Sequence, residues 1–330
     1  MAARPDRVPL VSGGSWGGRP VPFPTSAVLP VRRAPRPAEA APVVIPRGPA
    51  SAVERLTRGR RTAVDEVLRR APVAGRVVAV VGAAGSGRST VAAQLAVAAA
   101  SYQPGPVVVV DASGAVWPGA VCRIPGPAGG ALDWTGLRRV PAKQDRIPVL
   151  SGFVHRARHA EFFGAGTGSR GWVTRVGGVS AARPWEPVGP AEVLDAVEAL
   201  RAVSRMVVVD CPADTGPVAR VCAVVADVLV VVCRADAGEV RRCGRLVELL
   251  AGDARRDLTG RSVIVAVQHR PGRWPRAAAV AESAAGRAVA AVLRMPFDRA
   301  LVDSTAPVVR SGLGAERVAA TAFLLSAQQL

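Results

Sequence analysis

Lysine is almost missing from this chain of 330 residues: of its 43 basic residues, all but Lys143 are arginine. A drift from lysine to arginine has therefore acted on the whole sequence, alongside an excess of Ala, Gly, Val and Pro that points to a GC-rich coding sequence. Aromatics are scarce at 4%, with a single tyrosine, while hydrophobic residues make up 49%. A sizeable core is affordable, but it has to be built from Ala, Val and Leu. Acidic residues are few, 25 against 43 basic, which leaves a net charge of +18. Two readings of that charge stay open: attraction to nucleic acid or an anionic membrane, or a solvated arginine-rich surface. The five cysteines, at 122, 211, 222, 233 and 243, are odd in number and match no zinc spacing, which argues against a disulfide framework or a zinc module. Cys222 and Cys233 lie in or beside an apolar run and read as buried free thiols in a reducing cytoplasm. The longest apolar run, VCAVVADVLVVVC (221–233), has 13 residues and contains Asp227, too short to span a bilayer. Prolines interrupt the apolar stretches near the N-terminus, so no secretory signal is read there.

What is present is unevenly distributed. Residues 1–50 hold 11 of the 28 prolines, show no helical periodicity, and read as a disordered Pro/Arg-rich leader. Residues 1–70 carry 13 arginines against 5 acids. Such a basic leader either contacts an acidic partner, nucleic acid or an anionic membrane without sequence specificity, or is simply solvated. Residues 51–74 read as a basic helical linker, with Val53, Leu56, Val64, Val67 and Leu68 as an apolar stripe. From residue 75 to 330 strands and helices alternate. Strands are expected at 76–82, 105–112, 206–210, 226–232 and 261–267. Helices are expected at 89–100, 190–203, 238–252, 278–292 and 314–330. Continuous Val-rich strands separated by helices predict an α/β fold, a mostly parallel sheet with helices on both faces. Residues 113–190, rich in Gly, Pro, Arg and Trp, give no clear pattern.

The chemistry is concentrated in GAAGSGRST (82–90). The spacing of Gly82, Gly87 and Ser89 fits the phosphate-binding loop G-x-x-x-x-G-K-[ST]. The stretch follows an apolar strand and opens a helix, as that motif requires. Gly82, Gly85 and Gly87 let the backbone turn tightly and bring N–H groups close to phosphate oxygens. The helix start adds a favourable dipole. Ser89 is placed to ligate Mg²⁺ and Thr90 to contact a phosphate. Arg88 stands where the motif has lysine. It keeps the charge but carries a wider, planar head with a fixed donor fork, which predicts that hydrolysis suffers more than binding. A second element, MVVVDCPADTG (206–216), ends an apolar strand in Asp210, as a carboxylate that holds Mg²⁺ through water would. Asp111, ending VVVVD, is a third acid at the same sheet edge, where ligands of such folds bind.

The order of these segments, with ADVLVVVCRADAGEV, VIVAVQHR and LRMPFDRALVDS, resembles the MinD/ParA family of P-loop ATPases over roughly 75–330. The stretch ERLTRGRRTAVDEVLRRAPVAGRVVAVVG after a Pro-rich leader further resembles actinobacterial MinD-like proteins associated with type VII secretion. The resemblance implies ATP and Mg²⁺ as cofactors, a homodimer, and a protein partner in a positioning, partition or secretion apparatus. It assigns Asp111 to positioning the attacking water and Asp210 to the Mg²⁺-linked switch. It puts Gln268 near the adenine-reading position and Pro296 and Asp298 in the segment that borders the base. The departures are as informative. The family's loop begins with a lysine that reaches across the dimer, and here that position is Ala83. The phosphate lysine is Arg88, Gln268 replaces an Asn, and Asp111 is followed by Ala-Ser-Gly. The expectation is a cytoplasmic nucleotide-binding switch or scaffold, peripheral to the membrane at most, with weak or lost hydrolysis. The alternatives are an adaptor that no longer uses nucleotide and an Arg-rich nucleic-acid-binding protein.

Three further signals carry less. GAGTGSRG (164–171) lacks a leading strand and reads as a loop. His155 and His159 are spaced i, i+4 but have no evident third ligand. The terminal helix ends in AFLLSAQQL, without the basic residues of a membrane-surface helix, and reads as packing on the sheet.

Overall fold

The computed structural model describes residues 61–70, 75–113, 119–124, 160–163, 170–177, 188–213, 215–253, 258–286, 289–302 and 313–327, with positions 134, 148, 150, 154 and 308. The leader 1–50, the linker stretch 51–60, the glycine-rich loop over 164–169, and His155 and His159 lie outside the described residues. Chain contacts divide the protein into units Met1–Pro42 and Val43–Leu330, and every described residue belongs to the second.

Eight strands form one sheet. They are β1 (Arg76–Gly82), β2 (Gly105–Asp111), β3 (Ala160–Phe163), β4 (Arg170–Gly177), β5 (Met206–Asp210), β6 (Val228–Arg234), β7 (Ser262–Val267) and β8 (Ala291–Met295). Their order is β3-β4-β2-β5-β1-β6-β7-β8. All neighbours are parallel except β3, which pairs antiparallel with β4 at the edge. The helices are α1 (Arg61–Arg70), α2 (Arg88–Tyr102), α3 (Pro190–Val203), α4 (Pro217–Val225), α5 (Ala237–Asp253), α6 (Arg276–Ala285) and α7 (Leu313–Ala327). This is the α/β architecture expected from the alternation of Val-rich runs and helices.

The two faces of each strand feed two separate cores. Val78 and Val80 of β1 pack with α1, α2 and α7 on one side. Val77, Ala79 and Val81 pack with α3, α4, α5 and α6 on the other. α2 runs AAQLAVAAA through its middle and is buried on every face there, as a helix apolar all round is, and its alanines let the neighbouring elements approach closely. Each fully buried valine contributes roughly 1.5–3 kcal/mol relative to exposure, so a valine and alanine core makes up by number for the missing aromatics. Cys222 and Cys233 are buried free thiols, as read from their setting. Among the described residues, no helix is long and apolar enough to cross a membrane.

Four elements depart from the sequence reading. The helix expected at 278–292 ends at Ala285, and 291–295 forms strand β8, paired in register with β7. Its alanines favour helix locally, and the exposed ladder edge of β7 overrides them. Helix α4 (Pro217–Val225) was not expected; it takes the first part of the run 221–233, and the strand expected at 226–232 begins at Val228 as β6. The buried Asp227 carboxylate accepts from the Val77 N–H at 2.8 Å and pairs with Arg201 Nη2 at 2.6 and 2.7 Å. Strands β3 and β4 arise within the stretch that gave no pattern. β4 carries Trp172 and Thr174, whose polar atoms both donate to the Val154 carbonyl, so a strand of mixed polarity is nonetheless buried.

Candidate functional site

β1 sits at the centre of the sheet, with β5 on one side and β6 on the other. The chain leaves β1 for β2 on one flank and later returns to β6 on the other. The crevice above such a switch point is where open parallel sheets hold ligands. Gly82, Asp210 and Asp111 end β1, β5 and β2 at this edge.

The loop after β1 is built by its glycines. A Cβ at Gly82 would lie 2.3 Å from the Val232 carbonyl oxygen, so no other residue fits without moving backbone. Gly87 has φ +93° and precedes the first turn of α2, whose start no side chain caps. The amides of Arg88, Ser89 and Thr90 therefore lack intrahelical acceptors. Within the loop the Ser86 N–H donates to the Ala83 carbonyl at 3.2 Å. Ser86 is 1% exposed and its hydroxyl has no partner among the described residues. Ala83, Ala84 and Gly85 are exposed, and Ser89 and Thr90 half-buried.

Arg88 folds back onto the sheet. Its Nε donates to Asp210 Oδ1 at 2.8 Å and its Nη1 to the Gly82 carbonyl at 2.9 Å. The ion pair is nearly dry, with side-chain exposures of 10% and 0%. The other Asp210 oxygen, Oδ2, accepts from the Ala120 N–H at 3.1 Å. That amide belongs to the short 3-10 turn Ala120–Arg123, which lies over both carboxylates. Gly119 packs so close that a Cβ there would meet Asp111 Oδ2 at 2.1 Å.

Asp111 and Asp210 are direct register neighbours on β2 and β5. Burial, and then the charge of Asp210, push the Asp111 carboxyl up to about 6, against the opposing pull of the Ser113 hydrogen bonds and Arg88. Ser113 donates to Asp111 Oδ1 through its N–H at 3.0 Å and its hydroxyl at 2.5 Å. Trp134 Nε1 donates to the Asp111 carbonyl at 2.9 Å.

Gln268 lies on the opposite flank, bonded to the residue before Pro296. The Gln268 N–H donates to the Met295 carbonyl at 2.9 Å, and its Nε2 donates to the Gly272 carbonyl at 3.0 Å. Pro296 follows Met295 and is exposed. His269 carries this flank to the loop, its Nε2 lying 3.1 Å from the Ser86 carbonyl. Arg234, at the end of β6, donates from Nε to the Gly85 carbonyl at 3.2 Å.

Arg88, Asp210, Asp111 and Gly82 are thus brought into one buried cluster. Ser89 and Thr90 lie at the adjoining helix start, and Gln268 and Pro296 lie beyond His269. The sequence reading named neither Ser86, Ser113, Ala120, Arg234 nor His269. Arg234 and His269 carried a usable signal: each is a polar residue at or just past the end of a buried strand that borders the loop strand's side of the sheet.

No protein-family model matches the sequence, and neither does any curated protein. Solved structures do. A ParA family ATPase from Chlorobium tepidum superposes with a TM-score of 0.52 at 18% identity, covering 77% of this chain and 96% of that one. The cell division ATPase MinD of Pyrococcus furiosus gives a TM-score of 0.46 at 18% identity, over 77% of this chain and 98% of its own. The septum site-determining protein MinD of Pyrococcus horikoshii, complexed with Mg-ADP, gives 0.44 at 17% identity, over 77% and 95%. The likeness to the first of these shows the fold: a P-loop α/β fold of the MinD/ParA type.

Proposed function

We propose that this chain is a nucleotide-binding protein of the MinD/ParA type in which hydrolysis is slow or lost. It serves as a cytoplasmic switch or scaffold for a protein partner in a positioning, partition or secretion apparatus. One observation carries the reading: the loop 82–90 joins the C-terminal end of the central strand to an uncapped helix start, with Gly82, Gly85 and Gly87 all at positive φ. That arrangement presents several backbone N–H groups and a helix dipole to one point, which is what a polyphosphate needs. Gln268 and Pro296 stand on the flank where a base would lie, linked to the loop through His269.

Several features favour binding over turnover. The position that supplies a cross-dimer lysine in MinD/ParA loops is Ala83, so a homodimer of this chain has no such cation to share there. Asp111, the candidate for orienting water, is 3% exposed and lies beneath the 3-10 turn. The arrangement does not fit Mg²⁺: Ser89 keeps its place at the helix start, yet both oxygens of Asp210 are engaged, one by a cation of the chain itself. The narrower resemblance to MinD-like proteins of type VII secretion rests on the segment before β1 and belongs to the same proposal.

The test is to titrate labelled ATP into the full chain and follow phosphate release on the same sample. Saturable binding with little or no release is expected. Absence of binding overturns the reading, and rapid release overturns its second half.

A further inference from the structure

We propose that the loop takes the phosphates of a nucleotide without a divalent cation, Arg88 serving as the fixed counter-charge that a metal would supply beside Asp210. The inference rests on the nucleotide-binding reading and names the form of ligand bound.

Three observations carry it. First, the place beside Asp210 is filled. Arg88 Nε holds Oδ1 at 2.8 Å, the Ala120 N–H holds Oδ2 at 3.1 Å, and the Asp210 side chain is 0% exposed. A hydrated Mg²⁺ gives up its water reluctantly and reaches such a carboxylate through that water. Here no exposed oxygen is left to accept from it. Second, Arg88 is anchored twice, at Asp210 and at the Gly82 carbonyl. A guanidinium holds both acceptors at once because its donors form a rigid fork. Drawing it away to admit a metal would leave a fully buried carboxylate without its partner, which is costly. Third, the fork is not used up. Among the described residues Arg88 Nη2 has no hydrogen-bond partner, leaving one nitrogen to take a phosphate oxygen in the charge-assisted manner arginine favours. The loop amides and the uncapped start of α2 supply the remaining donors.

Lysine at the same position is a single point charge on a flexible stem and cannot bridge Asp210 and Gly82 with separate, fixed donors. Arg88→Lys should therefore release Asp210 and restore a demand for metal.

The experiment measures ATP affinity of the full chain by titration in Mg²⁺ and again in EDTA, for the natural protein and for Arg88→Lys. A thermal melt of each checks that both are folded. The natural protein should bind ATP at least as tightly in EDTA as in Mg²⁺, because Mg²⁺ draws free nucleotide into its own complex, whereas Arg88→Lys should bind about tenfold or more tightly with Mg²⁺. Tighter binding by the natural protein in Mg²⁺ overturns the metal-free inference and leaves the nucleotide reading standing. An Arg88→Lys protein indifferent to Mg²⁺ overturns the role given to Arg88. Absence of binding in both solutions overturns this inference together with the nucleotide reading.

Discussion

Asp111 and Asp210 face each other in register at the ends of adjacent parallel strands, both buried, with Arg88 paired to Asp210 alone. Among the described residues Arg88 is the one cation paired with either carboxylate, and Asp111 is the group that yields. Its ionisation is displaced from 3.8 to about 6, first by burial and then by Asp210.

That displacement predicts a pH-dependent stability with a definite sign. Below about pH 4 Asp111 is protonated in both folded and unfolded chains. Between about 4 and 6 the folded protein keeps the proton and the unfolded chain has lost it, so stability falls as pH rises through this window. The shift corresponds to on the order of 3 kcal/mol. Asp111→Asn keeps an acceptor for Ser113 and removes the charge. Urea denaturation should find the variant close to the natural protein near the lower end of the window and more stable, by up to that amount, above the upper end. A difference that does not change with pH would exclude the mechanism.

The loop's geometry makes a steric prediction. In Gly82→Ala the new methyl meets the Val232 carbonyl oxygen at 2.3 Å, and both partners are backbone in the middle of the sheet. Neither can yield without breaking the β1–β6 ladder, which pairs Gly82 with Val232. A loss of at least about 2 kcal/mol is expected, read as a lower urea midpoint, with ATP affinity falling as well. Unchanged stability would mean that the strand end is not held as described.

Asp227 offers a test away from the site. It accepts from the Val77 N–H and pairs with Arg201, and it is 1% exposed. Arg201 is 36% exposed and can rehydrate if released, so the ion pair itself counts for little. The orphaned Val77 N–H is the larger cost, about 1–3 kcal/mol. Asp227→Ala should therefore lose about 2–3 kcal/mol, while Asp227→Asn, which keeps an acceptor, should lose clearly less. Equal losses in the two variants would shift the weight to the charge.

Much of this molecule was legible before the structure, for one physical reason. Val-rich runs such as 76–82, 206–210 and 262–267 are buried on both faces, so their sequences need no partner to be recognised. β8 was not legible, because Ala291 and its neighbours fit a helix equally well and only the pairing with β7 decides. β4 was hidden by Thr174 and Arg175, which are buried through hydrogen bonds to carbonyls that are distant in sequence. The site divides in the same way. The loop's glycines, Arg88 and Asp210 were each visible as residues. That the first acid partner of Arg88 is Asp210, 122 positions away, depends on two strands lying side by side. The cover supplied by Gly119 and Ala120 left no mark in composition or spacing.

The segment 268–275, which follows β7 and carries Gln268, is fastened at its far end by one carboxylate. Glu282 accepts from Trp274 Nε1 at 2.8 Å and from Arg294 Nε at 2.7 Å, and the Arg294 guanidinium lies 5.1 Å from the centroid of the Trp274 ring. Arg294 is 49% exposed and Glu282 8%, so solvent weakens the ionic part and leaves the indole bond as the stronger link. Glu282→Ala should lower stability by about 1–2 kcal/mol. In a double-mutant cycle with Trp274→Phe, which keeps the ring and removes its N–H, the two changes should couple by about 0.5–1 kcal/mol. If this anchor positions the flank of the site, Glu282→Ala should also weaken ATP binding although it touches no residue of the loop 82–90. Full additivity in the cycle, with unchanged ATP affinity, would show that Gln268 is held in place by its bonds to Met295 and Gly272 alone.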